Sequence, residues 1–209
     1  CTLSKEGLFI TFEGTDGSGK STQTRLLAAR LEEQGWNVLL TREPGGSTGA
    51  EEIRSLVLEG LPERWSAETE ILLFTAARRD HMEKIILPAL AKGKIVVCDR
   101  FVDSTRMYQG LRREDLRTAV DTLTELMIER QPDLTILLDM DPHIGHARAK
   151  SRNTLEERFE DFGVGLQSKM REGFLQLAKE FPDRIRVVDG NQKIEALSEN
   201  IFELIEEIL

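Results

Sequence analysis

The chain has 209 residues, of which 40% are hydrophobic and 31% charged, a composition typical of one globular α/β domain with a full apolar core. Its formal net charge of −9 disfavours a general nucleic-acid binder and a protein that docks on anionic membranes. The two cysteines allow no disulfide framework, no apolar run approaches the length of a membrane span, and the N-terminus lacks a secretory signal pattern. We therefore expect a cytoplasmic protein that forms a single domain over residues 1–209, with no membrane or nucleic-acid partner.

The first motif is residues 14–21, which fit the pattern of a glycine, four residues and then Gly-Lys-Ser. It follows an apolar run that predicts a buried strand and precedes a predicted helix from about residue 20 to 34. Glycines with positive φ let successive N–H groups turn inward around phosphate oxygens. Lys20 adds a cation for the β- and γ-phosphates, and Ser21 adds a hydroxyl ligand for Mg²⁺. A glycine-rich turn with a solvated lysine is the disfavoured alternative. The predicted ATP-binding residues are Gly14, Thr15, Asp16, Gly17, Ser18, Gly19, Lys20, Ser21 and Thr22.

A second predicted strand ends in the charged turn Arg42-Glu43-Pro44-Gly45-Gly46. Proline and two glycines force the chain away from the sheet and leave two opposite charges at its carboxyl edge. An ordinary surface turn with an ion pair remains an open alternative for this pattern. Thr48 and Glu51 fit a capping box for the helix that follows.

The third predicted helix, capped by Ser66, carries Phe74 and Arg78 four residues apart and therefore on one face. A ring and a guanidinium on one face can stack on and hydrogen-bond a flat heteroaromatic ligand. They can equally be a core phenylalanine and a surface arginine. From the local pattern alone, this second interpretation is favoured.

Acidic and basic residues also follow the third and fourth predicted strands. Asp99 and Arg100 stand at the carboxyl end of the third strand, where ligands of open parallel sheets bind. Asp99 is a candidate for holding Mg²⁺ through water, and Arg100 for gripping a second phosphate. Asp139 and Asp141, after the fourth strand, are weaker metal candidates, because Asp141 fits a helix start equally well.

A basic segment in this acidic chain lies between two predicted helices, at about residues 148–160. A charge run is usually a solvated helix face. On a phosphate-binding fold, however, this position favours a mobile lid. The basic residues of this segment are Arg148, Lys150, Arg152 and Arg158.

Five apolar strands separated by helices predict an all-parallel sheet with helices on both faces. Groups suited to phosphate or metal follow four of these strands, which indicates two phosphate-bearing ligands. A plain ATPase does not need the second anion site, whereas a kinase that phosphorylates a monophosphate does. The predicted strands cover residues 8–12, 37–41, 94–98, 134–139 and 184–188.

Together these motifs resemble the thymidylate kinase family, over essentially the whole chain and in the right order. The phosphate loop alone fits many nucleotide enzymes, but the Arg-Glu-Pro-Gly-Gly turn and the run from residue 99 to 110 are close to family-specific. The segments that carry the likeness are residues 12–22 (FEGTDGSGKST), 41–46 (TREPGG), 73–78 (LFTAAR), 99–101 (DRF), 104–110 (STRMYQG) and 158–160 (RFE).

The resemblance implies a P-loop NTPase-type α/β fold with strand order 2-3-1-4-5, a homodimer, and transfer of the ATP γ-phosphate to dTMP with Mg²⁺. In such enzymes, residues matching Phe74, Arg78 and Thr105 stack on thymine or hydrogen-bond its edge, and the residue matching Arg100 grips the acceptor phosphate. Asp16 and Glu43 would lie near the sugar 3′-hydroxyl and the metal. The implied dTMP-binding set is Asp16, Arg42, Glu43, Phe74, Arg78, Arg100, Thr105, Tyr108 and Gln109.

Family members differ in the position of the basic residue that stabilises the charge of the transition state. Those like eukaryotic enzymes carry it in the phosphate loop, and many bacterial ones carry it in the lid. Residues 15–18 include no base, so we expect the bacterial arrangement with a basic lid. Arg152, helped by Lys150 and Arg158, is expected to meet the transition-state charge. The implied catalytic residues are Lys20, Asp16, Arg100 and Arg152.

Two alternatives remain at the level of sequence. One is a kinase for another nucleotide or nucleoside, and the other is a regulator that binds ATP without transferring phosphate.

Overall fold

The protein, described by a computed structural model over residues 6–150 and 164–209, is built on a five-stranded parallel sheet of order β2-β3-β1-β4-β5. This confirms the expected P-loop NTPase-type topology. None of the helices in those residues is both long enough and apolar enough to cross a membrane. The strands are β1 (Phe9–Glu13), β2 (Val38–Arg42), β3 (Ile95–Asp99), β4 (Leu134–Asp139) and β5 (Ile185–Asp189).

Helices cover both faces of the sheet, which is why the central strands are apolar without interruption. Along β1, Ile10 and Phe12 pack on one face against Leu27 and Leu31 of the first helix. Phe9 belongs to the core of the opposite face. The α-helices in the described residues are α1 (Lys20–Glu33), α2 (Thr48–Leu58), α3 (Ala67–His81), α4 (Leu87–Ala91), α5 (Val102–Tyr108), α6 (Glu114–Met127), α7 (Pro142–Lys150), α8 (Val164–Glu180) and α9 (Ile194–Glu206).

The capping box predicted for the second helix is wrong. Ser47, not Thr48, is the N-cap of α2, because its Oγ accepts from Ala50 N at 3.4 Å. The expected capping-box partner Glu51 instead accepts from Gly46 N at 2.9 Å and so belongs to the preceding turn. The cap that was predicted at Ser66 is confirmed for α3.

The apolar spacing of residues 114–130 predicts a helix whose inner face carries Leu116, Val120, Leu123, Leu126 and Met127, and α6 buries only the first part of that face. Leu116 and Val120 are buried, and Leu123 packs on the same core. Leu126 and Met127, at the last turn, are 68% and 44% exposed. The helix therefore ends with an apolar surface rather than a core contact.

Candidate active site

The phosphate loop connects the end of β1 to the start of α1, and three of its glycines make its curvature possible. Gly14, Gly17 and Gly19 have φ values of 140°, 76° and 96°, which side chains rarely tolerate. Lys20 Nζ lies inside the curve and donates to Gly14 O at 2.9 Å and Thr15 O at 2.8 Å. The loop thus holds a cation at the point where its backbone turns.

Lys20 is 5% exposed, and this burial disfavours its charged form. Burial, reinforced by the nearby Arg100 cation, lowers the pKa of Lys20 to about 8, while Asp16, Asp99 and Glu13 act in the opposite direction. An anion placed beside Nζ favours the protonated amine.

The predicted metal ligands Ser21 and Asp99 are in direct contact. Ser21 Oγ donates to Asp99 Oδ2 at 2.5 Å, and Asp99 Oδ1 is buried without a hydrogen-bond partner among the described residues. A hydroxyl and a carboxylate oxygen are hard ligands of the kind Mg²⁺ prefers, and Mg²⁺ usually keeps waters and phosphates as its other ligands. Residues 6–150 and 164–209 contain no group of three or more His, Cys, Asp or Glu side chains placed to hold a metal ion. The Ser21–Asp99 pair fits a magnesium ion shared with a nucleotide.

The two weaker metal candidates serve the fold instead. Asp139 accepts from Arg171 Nε at 2.5 Å and from Arg171 Nη2 at 2.8 Å, and Arg171 belongs to α8. Asp141 Oδ1 accepts from His143 N at 2.8 Å at the start of α7, which is the capping role left open for it.

Arg100 has φ 68° and is the non-glycine residue with left-handed backbone in the described chain. That conformation costs roughly 1–2 kcal/mol for an L-residue, so its surroundings must hold it. Glu13, at the end of β1, holds the backbone that follows Arg100. Its carboxylate accepts from Phe101 N at 2.8 Å, Ser104 N at 3.1 Å and Ser104 Oγ at 2.6 Å. Sequence reasoning assigned Glu13 no role, although a carboxylate at the end of an apolar strand was a signal for one.

The environment of Glu13 also changes its titration. Burial, together with the charge of Asp103, raises the pKa of Glu13 to about 7, although Ser104, Arg100 and Phe101 N favour the ionised form. The group that supports the Arg100 turn therefore changes charge near neutral pH.

Asp16 joins the phosphate loop to Arg100. Its Oδ1 accepts from Arg100 Nη2 at 2.5 Å, and its Oδ2 accepts from Tyr108 Oη at 2.6 Å and Gln167 Nε2 at 3.3 Å. Burial alone would raise the pKa of Asp16, but Arg100 and Lys20 outweigh it and hold that pKa below its usual value. Asp16 is therefore an ionised carboxylate that orients the guanidinium and the phenol. Gln167 was not predicted.

Arg78 and Glu43 form a buried ion pair. Arg78 Nε donates to Glu43 Oε2 at 2.6 Å, and Arg78 Nη2 donates to Thr105 Oγ1 at 3.1 Å. Arg78 is 4% exposed, so the locally favoured interpretation as a surface arginine is wrong. Phe74, one turn earlier, is half-buried. A ring, a guanidinium and a hydroxyl thus converge on one wall.

These groups line an open cavity of about 260 Å³ beside the phosphate loop. All nine residues of the implied dTMP set line it, together with Lys20, Ser21 and Asp99. Gly14, Thr15, Ser18 and Thr22 do not line the cavity. Of the acceptor set, Arg42 is exposed and pairs with Glu51 at 3.1 Å, while Gln109 Nε2 donates to Glu70 Oε2 at 3.0 Å. Lining residues that sequence reasoning missed are Pro44, Arg54, Leu58, Phe101 and Ser104.

The predicted lid is only partly described. Arg148 is exposed on α7, and its Nη1 lies 3.6 Å from Met140 Sδ. The side chain of Lys150, and all of Arg152 and Arg158, lie outside the described residues. The role of the basic lid stays a prediction.

Comparison with known proteins gives one consistent family. Residues 12–201 match the family model described as thymidylate kinase. The chain is 64% identical over 203 residues to a thymidylate kinase of Ruegeria pomeroyi, which covers 97% of this chain and 96% of the relative. It is 45% identical over 201 residues to a thymidylate kinase of Caulobacter vibrioides, with 96% of both chains covered. The crystal structure of thymidylate kinase from Ehrlichia chaffeensis superposes with a TM-score of 0.77 at 35% identity, over 96% of this chain and 99% of that one.

Proposed function

Because this chain belongs to the thymidylate kinase family and so phosphorylates dTMP with ATP on the path to dTTP, we propose which of its residues bind the two substrates. The observation that carries the proposal is the 260 Å³ cavity, which joins the phosphate loop to the Phe74–Arg78 wall. Donor and acceptor phosphates would meet between Lys20 and Arg100.

On the donor side, the loop of residues 14–22 would take the ATP phosphates on its backbone N–H groups. Lys20 Nζ lies 2.8–2.9 Å from loop carbonyls and can exchange those contacts for phosphate oxygens. Ser21 and Asp99 would hold Mg²⁺, which when bound neutralises charge on the β- and γ-phosphates. Arg152 in the lid remains the residue proposed to stabilise the negative charge that develops during transfer.

On the acceptor side, Phe74 would stack on the thymine ring, with Arg78 and Thr105 hydrogen-bonding its edge. The fixed Arg78–Thr105 contact of 3.1 Å supports this, because it places a donor and a hydroxyl side by side on the cavity wall. Arg100 would bind the 5′-phosphate, with Arg42 assisting, and Tyr108 would pack beside the deoxyribose. Asp16 keeps Arg100 in place through its 2.5 Å contact.

Transfer then needs positioning and charge neutralisation more than proton chemistry. The phosphates of ATP and dTMP repel each other. Lys20 on the donor side and Arg100 on the acceptor side would offset this repulsion and align the two groups. Asp16 contacts Arg100 and Tyr108, so it couples the two halves without itself needing to accept a proton. The products are dTDP and ADP.

The test is steady-state kinetics of Arg100→Met and Phe74→Ala over dTMP, dUMP, UMP, dCMP and thymidine. We expect Arg100→Met to raise KM for dTMP about tenfold to a hundredfold, since it removes a charged hydrogen bond. Phe74→Ala should raise it about fivefold to a hundredfold, since it removes base stacking.

The KM for ATP is the internal control and should stay within about twofold in both variants. Equal increases in both KM values would contradict the acceptor assignment. So would a wild-type enzyme that uses thymidine as well as dTMP, because Arg100 would then have no phosphate to recognise.

We also propose that the chain is a homodimer. Exposed apolar side chains on two helices that pack together support it: Leu72 of α3 is 59% exposed, and Leu126 and Met127 of α6 are 68% and 44% exposed. Sedimentation equilibrium should give twice the chain mass, and a monomer at micromolar concentration would contradict the proposal.

We further propose that residues 1–209 form a single domain, with a lid near residues 148–160, and that the protein lies in the reducing cytoplasm. The buried, unpaired Cys98 thiol is compatible with that compartment.

A further inference from the structure

The turn that follows β2 is fastened to the last turn of α3. Ser47 Oγ donates to Asp80 Oδ2 at 2.6 Å, and the neighbouring His81 is fully buried beneath the turn. Gly46 has φ 91°, and a Cβ there would lie 2.3 Å from His81 Nε2 and 2.7 Å from Thr41 Oγ1. The imidazole therefore fills the space inside the turn.

Both nitrogens of His81 have partners. Nδ1 lies 3.2 Å from Glu43 Oε1, and Nε2 lies 2.8 Å from Thr41 Oγ1. An ionised carboxylate only accepts hydrogen bonds, so Nδ1 carries the proton that it donates to Glu43. In the neutral ring, Nε2 then accepts from the Thr41 hydroxyl.

Glu43 is thus held at both oxygens. Arg78 binds Oε2 and His81 binds Oε1. Glu43 and Arg78 line the acceptor cavity, whereas His81 and Thr41 do not. The hydrogen-bond contact of His81 with the cavity lining is therefore its contact with Glu43.

We propose that His81 is a positioning residue for the acceptor nucleotide, because it fixes the Glu43 carboxylate and, through it, the guanidinium of Arg78. The proposal rests on the acceptor role proposed for the cavity. Without the imidazole, Glu43 Oε1 would lose its donor, and the carboxylate and Arg78 could turn away from the arrangement that meets the base and sugar.

Three variants separate the two contacts of the ring. His81→Leu removes both, His81→Asn keeps an N–H donor near the Nδ1 position, and Thr41→Val removes only the hydroxyl on Nε2. We expect His81→Leu to raise KM for dTMP about tenfold, with KM for ATP changed by less than about twofold. His81→Asn should recover most of that loss, and Thr41→Val should give a smaller increase of about threefold.

The matched control is His143→Leu, the same substitution at an exposed histidine. It should leave both KM values at the wild-type level. A merely structural role of His81 predicts parallel increases in both KM values and no rescue by asparagine, and either result overturns the proposal. If His81→Leu does not fold, Thr41→Val decides, and an unchanged KM for dTMP in that variant contradicts the inference.

Glu43→Gln distinguishes failure of this inference from failure of the acceptor assignment. If Glu43→Gln raises KM for dTMP while the His81 and Thr41 variants do not, only the positioning role of His81 is wrong. If Glu43→Gln, Arg100→Met and Phe74→Ala all have no effect on KM for dTMP, the cavity is not the acceptor site.

Discussion

Arg100 shows at the scale of one residue what the sequence predicts and what it leaves out. Its place after an apolar strand predicted a phosphate contact, and the structure places it on the cavity wall. Its left-handed backbone and its support by Glu13 were not predictable, because both depend on a contact across 88 residues. The same holds for Arg78, whose burial comes from a partner 35 residues away.

Lys20 allows a test of the donor site by pH. With its pKa lowered to about 8 by burial, the free enzyme loses the ammonium charge as pH rises above 8. A lysine of ordinary pKa would keep that charge to about pH 10. The affinity for ATP, measured by equilibrium titration, should therefore fall with rising pH and approach tenfold per unit well above pH 8.

Lys20→Arg is the control for that titration, because a guanidinium stays protonated over the whole range. Its ATP affinity should be nearly independent of pH between about 8 and 10, whatever its absolute value. A wild-type affinity that is flat over the same range would contradict the role of Lys20 as a buried phosphate contact.

At the scale of elements, the helices on either side of the lid both touch the phosphate loop. Gly145 of α7 lies against the loop so closely that a Cβ would be 2.8 Å from Asp16 O. Gln167 of α8 donates to the Asp16 carboxylate at 3.3 Å. Helical periodicity located both helices from the sequence, but it could not show that they meet at Asp16, since that contact depends on how they cross the sheet.

This packing predicts that Gly145→Ala weakens ATP binding. Alanine favours a helix interior over glycine by about 1 kcal/mol, but here the added methyl must push α7 away from the loop, at a cost of about 1–3 kcal/mol. We expect a lower melting temperature and a higher KM for ATP. Gly165→Ala in α8 is the matched control, because its added Cβ meets nothing within 4 Å.

The control should keep the wild-type KM for ATP and gain a little stability. A Gly145→Ala enzyme with wild-type melting temperature and KM would show that α7 can move without disturbing the loop. The close contact would then have no bearing on ATP binding.

At the scale of the whole molecule, the parallel sheet brings the functional residues together. The phosphate loop, the Arg42–Glu43 turn and the Asp99–Arg100 pair follow β1, β2 and β3, which are neighbours in the observed order. Strand periodicity predicts a parallel sheet, but the order itself came from the family resemblance, because local patterns carry no information on which strands are adjacent. At the end of α6 the sequence pattern predicts more than the structure shows, because its apolar residues Leu126 and Met127 are expected to be buried but are exposed in the single chain.

We propose that dTMP binds in the cavity between Phe74 and Arg100. The most direct measurement is a crystal structure of the chain with dTMP. We expect the thymine ring to stack on Phe74, a base oxygen or nitrogen to lie within hydrogen-bond distance of Arg78 or Thr105, and the 5′-phosphate to contact the Arg100 guanidinium. A nucleotide bound elsewhere, or in this cavity with its phosphate away from Arg100, would contradict the account.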